Sequence, residues 1–125
     1  MAIKLENRDL VRPQLVYEFV FYRKLSAEES TTHKGIPQIH YFGPSGAWNA
    51  LIMELLGPSI ADIHIRCGNK FSLKTTILLA KQLIEMIEYF HGKGLIYRDT
   101  KPENFLFGPS GSDKYSIIHN VCINV

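Results

Sequence analysis

The chain has 125 residues and a formal net charge of +2, and its 46% hydrophobic and 21% charged content is that of an ordinary globular sequence able to bury one modest core. No dense Lys/Arg block or basic-aromatic stripe argues for nucleic acid, Cys67 and Cys122 form no Cys-x-x-Cys pair or disulfide framework, and the longest apolar run, Ile77-Leu78-Leu79-Ala80, is too short to cross a bilayer. With no basic segment and apolar run at the start, a cytosolic or nuclear protein with reduced thiols is expected, and His33, His40, His64, His91 and His119 lack the pairing of metal ligands.

Residues 1–6 alternate in the strand manner, with Ile3 and Leu5 on one face and Ala2, Lys4 and Glu6 on the other. Asn7-Arg8-Asp9 turns the chain. Pro13 then stands where a first helical residue would, and Leu15, Phe19 and Tyr22 recur at i, i+4 and i+7, which predicts a helix from about Pro13 to Leu25. Glu18 borders the apolar face of that helix, yet its neighbours Gln14, Leu15, Phe21 and Tyr22 are not cationic, so any ion pair must come from elsewhere in the fold, with Lys4 the natural candidate.

The polar stretch from Ser26 to Lys34 reads as a surface loop. Strands are predicted over Gln38 to Phe42 and Ala50 to Leu55, joined by a turn at Gly43-Pro44-Ser45-Gly46. After Gly57-Pro58, Ile60 to Arg66 reads as a short helix. Ser72 is placed to cap a longer helix that carries Leu73, Ile77, Ala80, Ile84 and Ile87 on one face and ends near His91, where Gly92 and Gly94 are stop signals. Phe105-Leu106-Phe107 enters a strand that Gly108-Pro109-Ser110-Gly111 turns back toward Tyr115-Ser116-Ile117-Ile118, which makes the chain α+β.

Between the long helix and that last strand pair lies Asp99-Thr100-Lys101-Pro102-Glu103-Asn104, a carboxylate, an ammonium and a carboxamide in one short loop. The trio suits phosphoryl transfer: Asp99 can accept a hydroxyl proton, Lys101 can balance charge on the transferring group, and Asn104 can ligate Mg²⁺ through its side-chain oxygen. A solvated polar loop is the competing reading, and the spacing of Arg98, Asp99, Lys101, Pro102 and Asn104 makes it the weaker one.

That spacing resembles the catalytic loop of protein kinases, with Tyr97 where the usual His stands and with the Lys of the serine/threonine branch. Gly35-Ile36-Pro37-Gln38-Ile39, Tyr41-Phe42-Gly43, Met53-Glu54-Leu55-Leu56-Gly57-Pro58-Ser59 and Lys70-Phe71-Ser72-Leu73-Lys74-Thr75 resemble the casein kinase 1 family in particular. The resemblance implies a partial two-lobed kinase fold: an incomplete small β-containing lobe over 1–55, then a hinge and the first helices and catalytic loop of the large helical lobe over 56–118. It implies ATP and Mg²⁺ as cofactors and Ser/Thr-containing protein substrates, acidic or already phosphorylated. Lys4 and Glu18 would then serve the nucleotide phosphates, while Ala2, Met53, Glu54, Leu56 and Leu106 would surround adenine, with Ile52 expected in the same cavity as Ala2. From periodicity alone, 51–57 is a plain core strand ending at a Gly-Pro turn.

Arg98 is expected to hold an anion or a local carboxylate, and Glu103 to face water. The family's glycine-rich strand-turn-strand would lie before residue 1, and its Asp-Phe-Gly would fall where the chain reads His119-Asn120-Val121, so 119–125 reads as a divergent tail. On that footing the chain taken alone is expected to transfer phosphate poorly. Two alternatives stay beside the kinase reading: an inactive kinase fragment acting at most as a binding module, and a small helical adaptor whose loop matches by chance.

Overall fold

The computed structural model describes residues 1–26 and 35–108, together with the backbone of 117–119. The expected loop over 27–34, the turn at 109–111, Tyr115-Ser116 and the tail beyond 119 lie outside the described residues. In chain order come β1 (Ala2–Asn7), α1 (Leu15–Leu25), β2 (Ile39–Ser45), β3 (Trp48–Met53), α2 (Ile60–Arg66), α3 (Leu73–Gly92), a single 3-10 turn (Pro102–Asn104), β4 (Phe105–Phe107) and β5 (Ile117–His119). This is a mixed α+β arrangement. A three-stranded antiparallel sheet has the order β1-β3-β2, and β4 and β5 form a separate antiparallel pair.

In β1 the alternation has an unusual sense. Ala2 and Lys4 pair with Met53 and Leu51, which are buried, so the polar-looking face of β1 is the one that meets the core. Ile3 and Leu5 lie on the other face, 63% and 58% exposed. Ile52 pairs with Ile3, which puts it on that outer face. Ala2 and Ile52 therefore do not share a cavity, because residues one apart on a strand point to opposite sides.

The turn between β2 and β3 sits later than its composition suggests. The strands run through Ser45 and from Trp48, with Gly46 at φ +61, and Pro44 lies inside β2 opposite Asn49. A proline is tolerated there because β2 is an edge strand, where a missing N–H costs no ladder bond. Similarly α1 begins at Leu15 instead of Pro13.

The core joins Leu15, Phe21, Tyr22 and Leu25 of α1 to Leu51 and Met53 of β3, Ile60 of α2, Met86 and Phe90 of α3, and Phe105 of β4. Ser59 caps α2 in a reciprocal capping box with Asp62, and the Ser72 side chain accepts from the Thr75 N–H at the start of α3. Both strong N-caps explain why these helices start where they do. The buried face of α3 is not the expected one: Leu79, Leu83, Met86 and Phe90 face the core, while Leu73, Ile77, Ala80 and Ile84 are exposed and Ile87 is half-buried. The helix is apolar on more than one side, so its 3.6-residue period fits two faces and does not choose between them.

Candidate active site

Asp99, Lys101 and Asn104 meet. The Lys101 ammonium lies 2.7 Å from Asp99 Oδ2, and Asn104 Nδ2 donates to both the main-chain carbonyl and Oδ2 of Asp99, each at 2.9 Å. Asn104 is 3% exposed and ends a 3-10 turn opened by Pro102, whose fixed φ suits that position. Its N–H donates to the Lys101 carbonyl, which closes the turn. The hydrogen bonds from Lys101 and then Asn104 hold the Asp99 carboxyl below the usual carboxylate range, since both stabilise the ionised form. Because Nδ2 faces Asp99, the Asn104 amide is turned so that Oδ1, the end a hard cation takes, is not the end engaged by that carboxylate.

The second cluster lies between β1 and α1. Lys4 Nζ donates to Glu18 Oε2 at 2.9 Å, and the Glu18 carboxylate is buried at the base of α1. Two residues further along the same face of β1, Glu6 Oε1 accepts from the N–H groups of Gln14 (2.6 Å) and Leu15 (3.0 Å). Glu6 had no signal in the local sequence, because a cap supplied by a strand eight residues upstream follows none of the spacings that mark helix starts.

Where β3 leaves the sheet, the Glu54 N–H donates to the Gln38 carbonyl at 2.8 Å and the Glu54 side chain accepts from the Gln38 N–H at 3.2 Å. Of the Glu54 main-chain groups only the carbonyl can therefore serve a purine edge. Met53 is buried, and Ala2 sits across from it in register. Leu56 is half-buried in the connector that follows. Leu106 is brought beside residues 57–59 of the connector by a short ladder: Gly57 N–H donates to the Phe107 carbonyl and Phe107 N–H to the Pro58 carbonyl, both at 2.9 Å, with Ser59 bridged to Leu106. Gly57 makes a close approach at this crossing, since a Cβ there would lie 3.0 Å from the Gly108 carbonyl oxygen, a tight contact that the neighbouring backbone would have to ease.

Tyr97 stands edge-on to Phe90 (6.2 Å between centroids) and to Phe105 (6.0 Å), which seats the loop on α3 and β4. Arg98 is exposed and makes no ion pair among the described residues. Glu103 is exposed too, at the rim of an open groove of about 370 Å³ lined by Ile60, Ala61, His64, Ile65, Phe71 and Pro102. Among the described residues there is no group of three or more His, Cys, Asp or Glu able to hold a metal. The donors present, one carboxamide oxygen and a carboxylate already bound to a lysine, fit Mg²⁺ only as a partner of phosphate oxygens, which is how this ion is usually held.

The sequence matches the protein kinase domain family over residues 2–118. It is 44% identical over 119 residues to the casein kinase I homolog RAG8 of Kluyveromyces lactis, covering 95% of this chain and 21% of that protein. The casein kinase I homolog 3 of Schizosaccharomyces pombe is 42% identical over 97% of the chain and 26% of its own length, and the casein kinase I homolog 2 of Saccharomyces cerevisiae is 44% identical over 95% and 21%. The chain thus spans about a fifth to a quarter of the length of these relatives.

Proposed function

The chain belongs to the protein kinase domain family, and on that premise we propose that it is part of a serine/threonine kinase of the casein kinase I type, which moves the γ-phosphoryl group of ATP to a Ser or Thr hydroxyl of a protein. The observation that carries the proposal is the Asp99-Lys101-Asn104 cluster, in which a lysine ammonium and a carboxamide N–H converge on one carboxylate. Residues 1–55 would form part of a small lobe and 56–118 a hinge with the start of a large one.

In this reading Asp99 orients the acceptor hydroxyl and takes its proton. Lys101, already on that carboxylate, bridges it to the charge building on the transferring group. Lys4, aimed by Glu18, holds the nucleotide phosphates. Ala2, Met53 and Leu106 would enclose adenine, with main-chain groups of Glu54 and Leu56 on its edge. Asn104 Oδ1 would hold Mg²⁺, which when bound neutralises phosphate charge. Acidic or pre-phosphorylated Ser/Thr peptides are the proposed substrates, as the resemblance to casein kinase I implies.

A second reading, a nucleotide- or partner-binding chain without transfer activity, has one observation in its favour. At the place of the metal-binding Asp the sequence has His119, opposite Phe105 in the β4–β5 register, and a neutral nitrogen is a poor ligand for a hard cation. The two readings separate in one assay on the chain extended to a full kinase domain with His119 kept: labelled phosphate transfer from ATP·Mg²⁺ to an acidic Ser-containing peptide, with Asp99→Asn beside the unsubstituted protein. A fall of about 10²- to 10⁴-fold in the variant is expected of a catalytic base. Equal background rates in both assign the chain to the second reading.

A further inference from the structure

We infer that Glu6 is a positioning residue for the Lys4–Glu18 pair, capping α1 from the neighbouring strand and fixing the register in which the helix presents Glu18. The helix does not cap itself: Gln14 stands at the cap position with helical dihedrals and no side-chain capping bond. Left so, the first N–H groups of α1 would be orphans. Glu6 Oε1 takes two of them, from Gln14 and Leu15, and brings negative charge to the positive end of the helix.

The geometry ties this cap to the ion pair. Lys4 and Glu6 are two residues apart on one face of β1, a step of roughly 7 Å. Gln14 and Glu18 are one turn apart on α1, about 6 Å, and the Glu18 N–H donates to the Gln14 carbonyl at 3.0 Å. Two links of matched spacing therefore clamp strand to helix, and a single link would let α1 slide or roll about the other. Among the described residues, buried Glu6 Oε2 has no hydrogen-bond partner, a cost set against the two bonds at Oε1. The value of the clamp to catalysis rests on the nucleotide role proposed for Lys4, whereas the clamp itself does not.

The test reads Lys4 directly. The 125-residue chain is labelled with an amine-selective ester and Lys4 modification is followed by mass spectrometry, with the exposed Lys81 as internal standard. Glu18→Gln, which breaks the pair, should speed Lys4 labelling roughly threefold to fivefold, the scale of a lost ion pair. Glu6→Ala should match it, and Glu6→Gln, which keeps an acceptor oxygen, should stay within about twofold of wild type. If Glu6→Ala does not fold, Glu6→Asp, one methylene too short to reach both N–H groups, replaces it with the same expectation. A lowered melting temperature with Lys4 labelling at the wild-type rate would make Glu6 a stabilising cap only and overturn the inference. Binding of a fluorescent ATP analogue, measured in parallel, should weaken in Glu6→Ala. A wild type that binds no nucleotide while the labelling pattern holds would overturn the role given to Lys4 and still support that of Glu6.

Discussion

A carboxylate kept ionised by its own neighbours is a weak proton acceptor, and Asp99 is such a group. Lys101 and Asn104 both favour its charged form, so in the proposed reaction it would orient a hydroxyl and receive the proton late, which a loose phosphoryl-transfer transition state allows. The sign of the pH effect follows. With a folded-state pKa below the unfolded value, Asp99 contributes stability above about pH 4, and that contribution is lost as pH falls through the folded pKa. Replacing Lys101 with Ala removes the larger cause, and the Asp99 midpoint, read from its carboxyl ¹³C shift, should move up toward the ordinary range. An unmoved midpoint would show that Lys101 does not set it. At this scale the trio was legible because its three members lie within six consecutive residues and the turn that gathers them is local. Glu6 was not, since its partners are eight and nine residues away and belong to another element.

Among the elements, α3 shows best what periodicity can and cannot decide. Its ends followed from Ser72 and the glycines, because caps are local chemistry. Its inward face depended on which neighbours reach it, and Phe21 of α1 meets Phe90 edge-on at 5.7 Å. Phe90→Ala should therefore cost about 3–5 kcal/mol in urea unfolding, whereas Ile84→Ala, at a site 65% exposed, should stay within about 0.5 kcal/mol. Comparable losses at both sites would mean that the Ile84 face is covered in solution. The β2–β3 turn failed for a similar reason: Gly43-Pro44 is a strong turn signal, but an edge strand accepts it and Gly46 supplies the positive φ. The pairing of β4 with β5 was expected, and its register carries the strand one residue further, to His119.

Over the whole molecule, the helices are joined by contacts that no sequence pattern announces. The Tyr89 hydroxyl of α3 donates to the Leu25 carbonyl at the end of α1 at 2.8 Å, across 64 residues of chain. The aromatic series Phe21, Phe90, Tyr97 and Phe105 then runs from α1 through α3 and the Asp99 loop to β4. Tyr89→Phe should cost about 0.5–1.5 kcal/mol, the usual worth of one such bond, seen as a lower melting temperature. An unchanged melting temperature would remove this bond from the ties that matter. Residue identity pointed to the family and to the loop, while the joints between elements came only from the fold, because they depend on distances between segments remote in sequence.

The ladder between residues 57–59 and β4 acts as a gauge. The Leu106 that lies beside the connector after β3 and the Asn104 that lies against Asp99 are two positions apart on one chain, a separation of roughly 7 Å in extended backbone. No hinge motion of the rest of the protein can alter that length. Under the proposed function, a nucleotide spanning from the connector to the Asp99 cluster would be measured against a single short piece of backbone, and its reach would be constrained before any side chain read its chemistry.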